Sequence, residues 1–285
     1  MTTRLIVNAD DFGLTRGVNR AIAELYRGGA ISSTTLMATG AAFDDAVEIS
    51  RELPEMGVGC HVVLTDGVPV SAPETIPTLL GRNGVGLRSS LGAFARAALL
   101  GQLQQAEIEI EASAQVTRLL DAGVWPTHLD THKHTHMFPA VLRPLLRVAE
   151  HFGIRSIRNP FEQAWSLPVG RGRAMRRLQI RVLGLLERSF HAQAQIREGR
   201  VRTTRGAVGV SATGDLDERT LALLLAEIPP GTWELVCHPG FSDEQLGGIV
   251  TRLRRERDVE RKALQKLVPR AVGRGAIELV TFRAV

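Results

Sequence analysis

Leu5-Ile6-Val7-Asn8-Ala9-Asp10-Asp11-Phe12-Gly13 leads straight into a helical pattern that opens at Thr15 and runs to about Arg27. The apolar start reads as a strand, and the acidic pair with Phe12-Gly13 reads as the turn that ends it. Thr15 is a suitable N-cap, and Gly28-Gly29 supplies the stop. This βα unit is followed by others. Residues 32–37 and 57–64 read as strands, residues 43–53 as a helix, and Ile108, Ala112, Val116, Leu119 and Leu120 give a helical stripe ending at Gly123. A short strand carries the histidines after Thr127, with a helix behind it marked by Val141, Leu145, Val148, Ala149 and Phe152. A helix over residues 175–190, the 3.6-residue period of Leu221, Leu224, Leu225 and Ile228, a strand over 234–238, a charged helix to about Leu267 and a last strand over 277–282 complete the chain. Strands alternating with helices predict a parallel α/β sheet, open or closed as a barrel. With no repeat and no composition break, residues 1–285 read as a single domain. A Pro-, Gly- and Ser-rich stretch, residues 65–90, reads as a long loop insertion, and the basic residues 159–205 as a second.

The chain has 285 residues, with 35 Lys and Arg against 30 Asp and Glu, a net charge of +5. It has one Tyr, and its Arg-rich part lacks interleaved aromatic residues, so nucleic-acid stacking is not expected. No eighteen-residue apolar run predicts a transmembrane helix, and Asp10-Asp11 comes too early for a signal-peptide core. The two cysteines, Cys60 and Cys237, sit in apolar strand-like runs and read as reduced, buried thiols of a cytoplasmic protein. Neither Gly28-Gly29 nor Gly170–Gly172 resembles a phosphate loop, and no Gly-x-Ser-x-Gly elbow is present. The basic residues Arg171, Arg173, Arg176, Arg177 and Arg181, beside Leu178, Val182, Leu185 and Leu186, form either a solvated helix face or a contact for an anionic surface such as a peripheral membrane.

The chemistry concentrates in Thr127-His128-Leu129-Asp130-Thr131-His132-Lys133-His134-Thr135-His136. Four of the eight histidines lie here, at alternate positions with Asp130. In an extended segment these side chains would line one wall, and imidazoles beside a carboxylate suit a divalent transition metal. Alternate residues are roughly 7 Å apart along a strand, so one ion takes one or two of them, and the others orient ligands or touch substrate. Asp10/Asp11, His61 and His238 also stand where apolar strands end. In parallel α/β folds those ends share one face, so these groups are expected to converge. One aspartate then serves as the anionic ligand and the other as a general base. For His61 and His238 the plainer reading is a hydrogen-bonded core histidine.

Taken together, Leu5–Leu14, Ser32-Ser33-Thr34-Thr35, Gly59–Thr65, Pro126–Pro139 and Cys237-His238-Pro239-Gly240 resemble the YdjC-like family, which includes chitooligosaccharide deacetylases and a hopanoid-associated deacetylase group. The resemblance implies a distorted, TIM-barrel-like (β/α) fold. It also implies a divalent metal held by Asp11, His61 and His132, with Asp10 as catalytic base and His238 assisting at the leaving group or holding substrate. Asp130, His128, His134 and His136 would contact substrate or support the ligands. The activity implied is hydrolytic removal of an N-acetyl group from an amino sugar, on an oligosaccharide or glycolipid, and a homodimer is compatible. Magnesium is the family's usual metal, whereas mixed nitrogen and oxygen ligation suits zinc, cobalt, nickel or manganese. Two rival readings of the same residues are a non-catalytic glycan- or lipid-binding protein with a structural metal, and a two-His, one-carboxylate iron oxygenase.

Overall fold

The computed structural model describes residues 3–167, 169, 174–249 and 251–285; Arg171 and Arg173 of the basic stretch lie outside them. In chain order the elements are β1 (Thr3–Phe12), α1 (Arg16–Arg27), β2 (Ser33–Leu36), α2 (Phe43–Glu52), β3 (Gly57–Val62), α3 (Leu91–Leu99), α4 (Gln105–Asp121), β4 (Leu129–Thr131), α5 (Pro139–His151), α6 (Ala174–Leu183), α7 (Glu187–His191), α8 (Ala194–Arg197), β5 (Ala207–Val208), α9 (Glu218–Glu227), β6 (Gly231–Cys237), α10 (Glu244–Gly247), α11 (Arg255–Gly273) and β7 (Glu278–Leu279). The helix expected over 175–190 is two helices, interrupted by a turn at Gly184–Leu186. The strand expected over 277–282 shortens to β7, because Phe282–Ala284 turns into a 3-10 helix capped by Thr281.

All strand pairs are parallel, in the order β4-β3-β2-β1-β6-β5. On its other edge β1 meets β7 at Arg4 and Leu5 before it meets β2 from Asn8 onward. Residues 156–162 run between the outer strands. Leu129 bridges to Ile157 and Glu162 to Ala207, which closes the sheet into a distorted barrel through single bridges.

Alternation along the strands sorts the side chains into two layers. Leu5, Val7, Ala9, Val58, Cys60, Val62, Trp233, Leu235 and Cys237 face outward into the apolar core. There they pack with Val18, Ile22 and Leu25 of α1, Ile108, Ala112, Val116 and Leu119 of α4, and Ala263, Leu264 and Val268 of α11. Each such Val, Leu or Ile stabilises the fold by roughly 1.5–3 kcal/mol through burial. The opposite set, Asn8, Asp10, Gly59, His61, His128, Asp130, Arg158 and Glu234, faces the barrel interior. That interior is polar, and the polar residues named are all buried. Such groups persist only when they satisfy one another or a ligand.

Helix α1 begins at Thr15, whose Oγ1 accepts from Val18 N, and ends at Gly28-Gly29, with Gly29 at φ 67. The 65–90 stretch is an ordered loop held from α4. Glu111 accepts from Val70 N and Ser71 N, both at 2.9 Å, and Glu107 accepts from Thr78 N at 2.7 Å. Among the described residues no helix is long and apolar enough to cross a membrane.

Candidate metal and catalytic site

At the end of β1, Asp11 takes a left-handed backbone at φ 67, and the register to β2 shifts between Ala9 and Phe12. The strand is therefore interrupted at Asp11 by an irregularity and resumes at Phe12, where the sequence reading expected the Phe12-Gly13 turn. The irregularity releases Asp11 from strict alternation, so both aspartates reach the same end of the barrel.

The histidine run departs from its expected form. Only Leu129–Thr131 is strand; His132–Met137 turns into a 3-10 segment with Lys133 and His134 left-handed at φ 57 and 53. Thr131 stabilises the turn, its Oγ1 accepting from His136 N at 3.0 Å and bonding His136 Nδ1 at 2.7 Å. The single wall of imidazoles is thereby dispersed. His128 lies at the opposite end of the barrel, stacked on Phe282 with ring centroids 3.7 Å apart. His136 Nε2 donates to the Arg158 carbonyl at 3.2 Å, a structural contact. His134 is half-buried near Asp10, Arg158 and His238, and its Nδ1 has no hydrogen-bond partner among the described residues. The four described non-glycine residues with positive φ, Asp11, Asp66, Lys133 and His134, lie at or beyond the C-terminal ends of β1, β3 and β4, at one end of the barrel. Lys133 Nζ also bonds Asp66 at 2.7 Å, tying the histidine turn to the 65–90 loop. Such conformations cost about 1–3 kcal/mol each and collect where geometry serves a site.

Three predicted ligands converge. Asp11 Oδ1 lies 3.6 Å from His61 Nε2 and 3.4 Å from His132 Nδ1, and the two nitrogens are 3.4 Å apart. Asp130 Oδ1 bonds His61 Nδ1 at 2.7 Å; as a carboxylate it only accepts, so Nδ1 carries the proton and Nε2 offers a lone pair to the triangle. Among the described residues Asp11 Oδ1, though buried, has no hydrogen-bond partner. A carboxylate oxygen and two ring nitrogens facing one point form a set that could hold a cation. Tetrahedral ligands at about 2.0–2.2 Å from one ion stand about 3.3–3.6 Å apart, so the spacing fits a divalent metal. Burial lowers the affinity of His61 for a proton, but Asp130, Asp10 and Asp11 outweigh it and push the imidazole up to about 9. The field that favours a proton at His61 favours a metal ion as well.

Asp10 lies beneath this triangle. Arg158 grips it with both arms, Nη2 to Oδ1 at 2.6 Å and Nη1 to Oδ2 at 2.8 Å. Asn8 Nδ2 adds a donor at 2.9 Å and Thr35 Oγ1 another at 3.3 Å. The same guanidinium donates from Nε to Glu234 at 2.7 Å and stands 2.5 Å from Asp130 Oδ2. Burial pushes the Asp10 carboxyl up, and Arg158, His61 and His238 more than reverse this, so Asp10 stays ionised. A second possible ligand group, Asp10, His61 and Asp130, is thus already served by a buried cation, Arg158. His238 Nε2 is 3.8 Å from Asp10 Oδ2, and Glu260 fixes its backbone by accepting from His238 N at 2.6 Å. Burial lowers His238 to about 4, so its ring is neutral at neutral pH.

Arg158, Glu234, Arg257 and Glu260 escaped the sequence reading. For Arg158 a signal existed, since it follows Ile154 and Ile157 at a strand end before Asn159-Pro160. Arg257 had none, being one of four arginines between residues 252 and 257.

The YdjC-like protein family model matches residues 4–271. A chitooligosaccharide deacetylase of Salmonella typhimurium is 46% identical over 152 residues, a match covering 53% of this chain and 57% of that protein. This chain thus matches only a little over half the length of that relative. A solved structure from Enterococcus faecalis V583, of a protein provisionally named for cellobiose-phosphate cleavage, superposes with TM-score 0.78 at 24% identity, covering 100% of this chain and 99% of that one. An uncharacterized protein of Agrobacterium tumefaciens C58 superposes with TM-score 0.50 at 14% identity, covering 99% and 89%. These two likenesses concern the fold. Because the family model spans nearly the whole sequence and the motifs that carry it meet in one site, the chain belongs to the YdjC-like protein family.

Proposed function

We propose that this protein is a metal-dependent hydrolase that removes an N-acetyl group from an amino sugar on an oligosaccharide or glycolipid. The observation that carries the reading is the bare Asp11 oxygen facing His61 Nε2 and His132 Nδ1. A bound divalent ion would supply Lewis acidity toward the amide carbonyl and toward water. The chain's own groups supply the rest. Asp10, anionic and held in place by Arg158, accepts a proton from the attacking water. His238, neutral at rest and beside Asp10, receives that proton and delivers it to the leaving nitrogen as the C–N bond breaks. Acetate and a free amine result. His134 offers an unpartnered nitrogen to the substrate. The curated relatives named chitooligosaccharide deacetylase support the substrate class.

The test is acetate release from N,N′-diacetylchitobiose and from an N-acetylglucosaminyl lipid, using metal-stripped protein re-supplied with Zn²⁺, Mg²⁺, Mn²⁺, Co²⁺ or Ni²⁺. Metal-dependent acetate that falls by about two orders of magnitude or more in Asp10→Asn is the expected result. Failure of every metal to bind at Asp11, His61 and His132 would overturn it.

A further inference from the structure

Arg257 lies on α11 with its side chain fully buried, although no substrate-facing role calls it there. Its Nη2 donates to Asp11 Oδ2 at 2.6 Å. The other carboxylate oxygen, Oδ1, is the one left bare toward His61 and His132. The guanidinium is itself fixed, with Nε donating to the Leu253 carbonyl at 3.3 Å and Nη1 lying 3.5 Å from the His238 carbonyl. Its methylene stem packs against Gly240, where an added Cβ would stand 3.1 Å from Arg257 Cδ.

We propose that Arg257 is a positioning residue that restricts Asp11 to single-oxygen ligation and keeps the loaded centre strongly electropositive. The inference rests on the metal-site reading above. A free aspartate can offer both oxygens to one ion; with Oδ2 committed to Arg257, Asp11 can offer only Oδ1. Arginine also cancels the charge of the one anionic ligand. With two neutral imidazoles, the ligand set plus Arg257 sums to zero rather than to −1, so a divalent ion keeps its full charge. Repulsion between the guanidinium and the ion weakens metal binding, and the same uncompensated charge raises the acidity of whatever the ion polarises. The arrangement trades affinity for acidity.

The experiment uses the full chain loaded with Co²⁺, reading the dissociation constant and the visible absorption spectrum. Arg257→Met removes both donor and charge; the expected result is binding tighter by about tenfold or more, with a weakened Co²⁺ band as the second Asp11 oxygen joins the ion. Arg257→Lys keeps the charge and has the reach for Oδ2, so both readouts return toward wild type. A merely structural role for Arg257 would loosen binding in both variants and so overturn the proposal, as would R257M binding Co²⁺ with the wild-type constant and spectrum. Should R257M fail to fold, a crystal structure of the Zn²⁺-loaded wild type decides. Oδ1 alone on the ion, with Arg257 on Oδ2, supports the proposal; both oxygens on the ion overturns it. Wild-type protein that binds no metal defeats the metal-site reading, a failure distinct from unchanged behaviour in R257M.

Discussion

Gly59 shows how tightly the site's foundations are packed. A Cβ there would stand 2.4 Å from the His128 ring, which is itself pressed against Phe282. His128 is fully buried. Gly59→Ala is expected to cost about 1–3 kcal/mol of stability in a urea titration, and Gly59→Ala with His128→Ala should recover part of it. An unshifted midpoint for Gly59→Ala would show that the floor is softer than its packing implies. At this scale the sequence was most legible for groups whose chemistry is unusual. Asp10, Asp11, His61 and the histidine run stood out as candidates because they fall where strands end, and the choice of Asp11, His61 and His132 among them came from the family resemblance. The arginines did not stand out. A buried Arg158 is written with the same letter as an exposed Arg197, and only tertiary contact shows that it pairs with three carboxylates.

Elements were legible where hydrophobic period and caps agreed, as in α1, whose Thr15 cap and glycine stop both stand where expected. They were misread where one side chain redirects the backbone. The histidine run alternates like a strand, but Thr131 bonds both the His136 amide and its ring, and the chain turns instead. The 65–90 loop shows a similar dependence on a few groups. Two carboxylates of α4 satisfy its amides, and Gln115 Nε2 steadies Glu111 at 2.8 Å. Replacing Glu111 by Ala leaves two amides unpaired, at a cost of about 1–3 kcal/mol. Hydrogen exchange should quicken around Val70 and Ser71 while α1 and β1 stay protected, and uniform loosening would contradict local anchoring.

Over the whole molecule the barrel interior behaves as one electrostatic unit. Arg158 holds Asp10 below its usual value of 3.8, so the stabilisation from that pair is complete above pH 4 and fades as acid brings pH down through the lower folded value. Arg158→Met strands the carboxylates of Asp10, Asp130 and Glu234. The expected loss is about 3–5 kcal/mol, larger at pH 8 than at pH 5, where the orphaned groups can take up protons. Paired urea titrations at the two pH values check this; equal losses would mean that the network is held by shape and not by charge. Phe282, buried at the other end against His128, should cost about 3–5 kcal/mol on truncation to Ala, read as a lowered melting temperature.

The place of β1 in the sheet has a consequence for how the chain is made. β1, synthesised before the other strands of this sheet, pairs along seven residues with β6, residues 231–237, and on its other edge with β7, residues 278–279. At about 5–20 residues per second, β1 waits roughly ten to forty seconds for β6 to be synthesised. During that interval a very apolar edge stands open beside α1 and β2. A translating ribosome should therefore carry this chain as a holdase client until β6 has emerged, and pausing codons placed upstream of Gly231 should raise aggregation more than pauses placed after Leu279.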